Sequence, residues 1–195
     1  IFRSKRIFLV ALLALVLFAS AAYAAPKAYV GNFKDNTVSV VDTSAGTVVG
    51  TIPIATGPHG MAMSPDGRLL YVSSDGSSVV SVIDTGADRV SKTIEVGKSP
   101  HGVTLVPGMN LLLVAVNGED TIAFVDTTTQ AVIARVSVGK PHTIGVGPDA
   151  KIAFVSSQTP GKFGIAVIDI SARTVLRTIP LDKTPRDLEY SPDGM

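Results

Sequence analysis

The chain has 195 residues, 46% hydrophobic and only 17% charged. That is enough apolar material for one large core, and it excludes an intrinsically disordered chain. There is no cysteine, which excludes disulfides, thiolate metal sites, a C-x-x-C-H haem attachment and a lipidated N-terminal cysteine.

The formal net charge is +1, but Arg3, Lys5 and Arg6 all lie in the first 24 residues; beyond them 14 basic residues face 16 acidic ones, a net of −2. A nucleic-acid partner would call for a basic stripe, and none is present. The three basic residues precede an apolar run from Ile7 to Ala19, then small residues ending in Ala22-Tyr23-Ala24. This order predicts a secretory signal peptide over residues 1–24, cleaved after Ala24. Its 13-residue apolar core is short for a membrane span of about 20 residues. The mature protein is therefore expected in the periplasm or outside the cell, with no membrane span. A start at Ile1 and a stop at Met195, just after a turn signal, suggest a fragment.

From Lys27 onward, period-2 alternation and turn residues predict short strands only. The first unit, about 27–54, has strands at Lys27–Val30, Thr37–Val41 and Val48–Ile54. The second, 58–96, has four strands, at His59–Met63, Leu69–Ser73, Val79–Ile83 and Val90–Val96. The third, 100–138, and the fourth, 141–180, repeat that plan, and a fifth begins at 185–195 with a strand predicted near Arg186–Tyr190.

The repeat is explicit in the motifs. Pro58-His59-Gly60 returns as Pro100-His101-Gly102, Pro141-His142-Thr143 and Pro185-Arg186-Asp187. Asp42-Thr43, Asp84-Thr85, Asp126-Thr127 and Asp169-Ile170 are spaced by 42, 42 and 43 residues. A period of this size built from four short antiparallel strands predicts an all-β fold, a β-propeller. The Asp side chains are expected to cap their own hairpin turns, with Gly supplying positive φ where a turn needs it.

Ala28-Tyr29-Val30-Gly31-Asn32, Leu70-Tyr71-Val72-Ser73, Thr37-Val38-Ser39-Val40-Val41-Asp42-Thr43 and Ser64-Pro65-Asp66-Gly67-Arg68 resemble the repeat of the YVTN-family, YncE-like β-propellers. The resemblance runs from about Lys27 to Gly194. It implies a secreted or periplasmic seven-bladed ring, of which about four blades are visible, so a fragment of such a ring is expected. The alternative is a small four-bladed ring, in which the last strand completes the opening blade and leaves no long free edge.

In a blade the innermost strand lines the channel. The loop entering that strand and the loop between the second and third strands open on the same side. All three histidines, His59, His101 and His142, occupy the channel-mouth position, with Arg186 as the fourth equivalent. These four residues are the candidate ligand-binding face. Three neutral imidazoles suit zinc or copper, and a mixed His and Arg set suits an anion or an oxidised cofactor. Against a metal stand two points: duplication alone copies a residue at this spacing, and a wide seven-bladed channel would hold the rings apart. Met61 and Met63 are expected to pack between blades. Asp35, Asp75, Glu119 and Asp120 share the face but lack the order of a calcium loop, and are expected to be solvated.

Motifs for a nucleophile elbow, a phosphate loop, a zinc protease or a dinucleotide site are absent. The expected function is an exported, monomeric binding or interaction module that presents a protein or small-molecule site at its channel mouth, without catalysis. Two alternatives are a metal-binding or redox-accessory propeller using the histidines, and a propeller enzyme of oxidoreductase or lactonase type. No cofactor is required by the sequence.

Overall fold

The computed structural model describes residues 26–191. The segment read as a signal peptide, and the last turn from Pro192 on, lie outside the described residues.

Four antiparallel sheets follow one another along the chain. Blade 1 is three-stranded, with β1 (Lys27–Asn32), β2 (Thr37–Asp42) and β3 (Thr47–Pro53). Blade 2 comprises β4 (Pro58–Met63), β5 (Leu69–Ser74), β6 (Val79–Asp84) and β7 (Arg89–Glu95). Blade 3 comprises β8 (Pro100–Leu105), β9 (Leu111–Val116), β10 (Thr121–Asp126) and β11 (Ala131–Ser137). Blade 4 comprises β12 (Pro141–Val146), β13 (Ile152–Ser157), β14 (Gly164–Asp169) and β15 (Thr174–Pro180). Within a blade each strand pairs with its neighbour in sequence, and the only helical element among the described residues is a 3₁₀ turn at Asn117–Glu119. This is the propeller architecture, met on its second strand, as the sequence pattern predicts.

The blades stack face to face, so their middle strands are covered on both sides. In β5 and β9 every residue after the first is buried, and these strands read as nearly unbroken apolar runs. Outer strands β7 and β11 face solvent and bury one residue in full, Ile94 and Val136. The core is accordingly three interblade layers. Val38, Val40 and Ile52 meet Leu70, Val72 and Ile83 between blades 1 and 2. Tyr71, Val80 and Val82 meet Leu112, Val114 and Val125 next. Leu113, Ile122 and Phe124 meet Ala153, Val155 and Ile168 last.

The two end blades are less covered than the inner ones. Ile52, Ile94 and Val136 are 2%, 3% and 6% exposed, because the following blade covers them, whereas their equivalent Ile179 in blade 4 is 37% exposed. At the other end Val30 of β1 is 48% exposed, while Val72, Val114 and Val155 are fully buried. Among the described residues, β1 has no innermost strand beside it.

One predicted element is absent. Residues 186–190 form no strand, and nothing pairs them with β1, so the closure of a four-bladed ring is not seen among the described residues. The segment lies along blade 4 instead. Thr143 Oγ1 donates to the Arg186 carbonyl at 2.7 Å and Gln158 Nε2 to the Pro185 carbonyl at 2.8 Å. Tyr190 packs edge-on to Phe154, with ring centroids 5.5 Å apart. A strand needs a ladder partner on at least one side, and here side-chain bonds to blade 4 take that place.

Candidate metal centre at the channel mouth

Local sequence explains why each histidine leaves the ladder. In β4, β8 and β12 the pairing with the next strand is shifted between Pro58 and Met61, Pro100 and Val103, and Pro141 and Ile144. The His-Gly or His-Thr unit is therefore a bulge at the start of each innermost strand, a device that bends a strand and re-aims a side chain. The residue before each proline has positive φ: Gly57 70°, Ser99 50° and Lys140 41°.

The glycine after the histidine is a packing requirement. A Cβ on Gly60 would stand 2.6 Å from the His101 carbonyl oxygen, and one on Gly102 would stand 2.5 Å from that of His142. Bare backbone lets successive innermost strands approach this closely. In blade 4 the position is Thr143, and its hydroxyl turns the close approach into the hydrogen bond to Arg186. Buried serines stitch the same seam. Ser73 Oγ accepts from Gly60 N–H at 2.9 Å and donates to the His101 carbonyl. Ser156 Oγ accepts from Thr143 N–H at 2.8 Å.

The result is convergence. His59 and His101 stack with centroids 4.6 Å apart and planes 13° from parallel; His142 stands edge-on to both, at 5.2 and 5.0 Å. One nitrogen from each ring lies within 4.8 Å of the others. Channel width does not keep the three rings apart. Zinc–nitrogen bonds of about 2.0–2.1 Å put tetrahedral ligands roughly 3.4 Å from each other, so side-chain rotation has to close roughly 1.4 Å. Phe33, Asp75, Gln158 and Arg186 complete the lining of a cavity of about 440 Å³ around the cluster. Arg186 is thus beside the histidines, on the exposed segment after blade 4.

Burial favours the neutral form of two of the rings, His59 and His142. Burial pushes His59 down to about 4, helped by repulsion from His101, His142 and Arg186, with Asp75 acting the other way. Burial likewise lowers His142, with His101 and Arg186 adding to it. Neutral imidazole is the form that ligates metal. His101 is held differently: its Nε2 is 2.9 Å from Asp75 Oδ1, and its Nδ1 is shut off from solvent with no hydrogen-bond partner among the described residues. An orphaned buried acceptor costs about 1–3 kcal/mol.

Asp75 is the residue that sequence reasoning undervalued. Asp120 behaves as a loop carboxylate: its Oδ1 accepts from Lys140 N–H at 2.9 Å, which holds its carboxyl below the usual range. Glu119 accepts from Lys98 N–H at 2.9 Å. Asp75 instead reaches across to the histidine of the next blade. Repeat register would have found it, because Phe33, Asp75, Asn117 and Gln158 each follow the second strand of a blade and each meets the Pro-His or Pro-Arg unit of the next. Met61 and Met63 lie farther along β4 and are exposed, not buried between blades.

A larger cavity, about 900 Å³, lies beside β1 at the other end of the blades. Its ionic groups satisfy one another: Lys27 Nζ and Tyr29 OH both bond the Asp88 carboxylate, at 2.6 and 2.8 Å. No helix among the described residues is long and apolar enough to cross a membrane.

Comparison with known proteins agrees with the architecture. The model of the YNCE-like beta-propeller family matches residues 19–110, a stretch that includes His59 and His101. No curated protein matches the chain. Among solved structures, a chain of the Kuenenia stuttgartiensis hydrazine synthase superimposes with a TM-score of 0.82 at 27% identity. The match covers 86% of this chain and 50% of that one, so this chain spans about half the length of that relative.

Proposed function

We propose that this YncE-like β-propeller is a binding module whose ligand is a transition-metal ion, held at the channel mouth by His59, His101 and His142. One observation carries the reading: three imidazole nitrogens from three blades lie within 4.8 Å of one another. The donor chemistry selects the ion. Three neutral nitrogens without a thiolate favour zinc or copper over calcium or magnesium, which prefer oxygen. Three protein ligands leave a fourth position open toward the cavity, where Arg186 favours an anionic or oxygen-donor ligand. The likeness to a hydrazine synthase chain supports the scaffold and leaves the chemistry of this site to its own residues. The N-terminal segment, residues 1–24, supports export, and a mature chain beginning at Ala25 in the envelope fraction is the expected mass-spectrometric result.

The test is elemental analysis of the purified complete protein, followed by zinc and copper titrations of the native protein and of a His59→Ala, His101→Ala, His142→Ala variant. One ion per chain, lost in the triple variant, is expected. Equal uptake by both proteins, or none by either, overturns the reading and leaves a partner-binding surface in its place.

A further inference from the structure

We infer that Asp75 is the positioning residue of this site and fixes Nδ1 as the nitrogen that His101 presents to the ion; the inference rests on the metal reading above. Asp75 Oδ1 lies 2.9 Å from His101 Nε2. An ionised carboxylate only accepts hydrogen bonds, so the ring proton sits on Nε2 and the lone pair on Nδ1. That nitrogen is buried and has no partner among the described residues. It is the one atom His101 has left to give an ion.

The same accounting assigns His142 the opposite tautomer. Its Nδ1 is 3.0 Å from Thr143 Oγ1, whose hydroxyl donates to the Arg186 carbonyl at 2.7 Å. The threonine oxygen therefore accepts from Nδ1–H, which leaves the Nε2 lone pair as the one to offer an ion. His59 has no such partner among the described residues. Phe33 meets its ring edge-on at 6.5 Å, offering no hydrogen bond to fix a tautomer. The site thus has two ligands fixed in opposite senses and one that adjusts to them. Among the four residues that follow a second strand, Asp75 alone places a negative charge on a histidine; Asn117 and Gln158 donate to proline carbonyls instead. A carboxylate behind a ligating imidazole orients the ring and strengthens it as a donor, and losing one typically costs 10–100-fold in metal affinity.

The experiment compares wild type, Asp75→Ala and Asp75→Asn by zinc titration, with histidine ¹⁵N NMR on the metal-free and zinc-loaded proteins. The expected metal-free wild type shows His101 protonated on Nε2, and zinc shifts His101 Nδ1 and His142 Nε2. Asp75→Ala is expected to bind zinc about 10–100-fold more weakly, with Asp75→Asn between the two. Asp75→Asn keeps the shape and an acceptor oxygen, so it carries the test if Asp75→Ala misfolds. Zinc binding at wild-type strength in the variants, or a His101 protonated on Nδ1 in the wild type, overturns the assignment while the metal site stands. A wild type that takes up no zinc overturns the metal reading itself, and this inference with it.

Discussion

The two ends of the blades use the same residue types to opposite purposes. At the base, each hairpin closes on itself. Asp42 Oδ1 accepts from Ser44 and Ala45 N–H, Asp84 from Gly86 and Ala87, Asp126 from Thr128 and Thr129, and Asp169 from Ala172. Those bonds hold the Asp126 carboxyl below its usual range, that from Thr129 N–H most of all. At the mouth, side chains reach into the next blade, His59 and His142 are pushed toward neutrality, and one ring nitrogen has no hydrogen-bond partner among the described residues. A repeat that satisfies its polar groups locally is scaffold. A repeat that leaves them converging and unsatisfied is a binding surface.

The widest separation between the ends is expected from single substitutions read by metal affinity. His101→Ala should weaken zinc binding by more than about 100-fold, since it removes one of three protein ligands. Asp126→Ala should leave the zinc isotherm unchanged and lower Tm only slightly. A shift in zinc affinity in the turn variant would break the division of labour.

Glycine substitutions sharpen the same contrast through packing. Gly102→Ala places a methyl 2.5 Å from the His142 carbonyl oxygen, and overpacking of this kind costs about 1–3 kcal/mol. It should also spread His101 from His142 and weaken zinc binding. Gly108 at the base has φ 70° with open space around it. Gly108→Ala should cost about 1 kcal/mol, from the left-handed backbone alone, and spare the metal. Urea unfolding and zinc titration of both variants decide the point.

The smallest expected effect is a pH dependence confined to the mouth. His59 in the folded metal-free protein titrates near 4, below the ordinary value of 6.5. The unfolded chain therefore takes up that proton first, and folding stability falls as pH drops from about 6.5 toward 4. Below about 4 the loss is complete. His142 is lowered in the same direction and adds to the slope. Urea midpoints across this range, in chelator, should show a shallower decline in His59→Gln; an identical slope would place the acid sensitivity elsewhere.

Much of the fold was legible because its determinants are contiguous. Alternation in Thr37–Asp42, the Ser64-Pro65-Asp66-Gly67 turn and the recurring Asp-Thr pairs act within a few residues of themselves, so strands and turns follow from local rules. The turn before β5 repeats the logic seen in the hairpins: Ser64 Oγ donates to Asp66 Oδ1 at 2.7 Å and, with the Arg68 N–H bond, lowers that carboxyl. The shared register of His59, His101 and His142 was equally readable, since equal spacing puts equal residues at equal places. The Asp75 partnership was less so, because a loop carboxylate looks solvated until the next blade is placed beside it.

The sequence by itself determined the four-stranded period, the turn chemistry and the end of the blades on which the histidines stand. Tertiary structure alone decided three things. It set the distance between the rings, which depends on the bulges and on how closely Gly60 and Gly102 let the innermost strands approach. It paired Asp75 with a histidine 26 residues away. It also gave residues 186–190 no strand partner among the described residues and left Ile179 37% exposed, because a strand and its burial are properties of neighbours, and neighbours across blades are not written in any one stretch of chain.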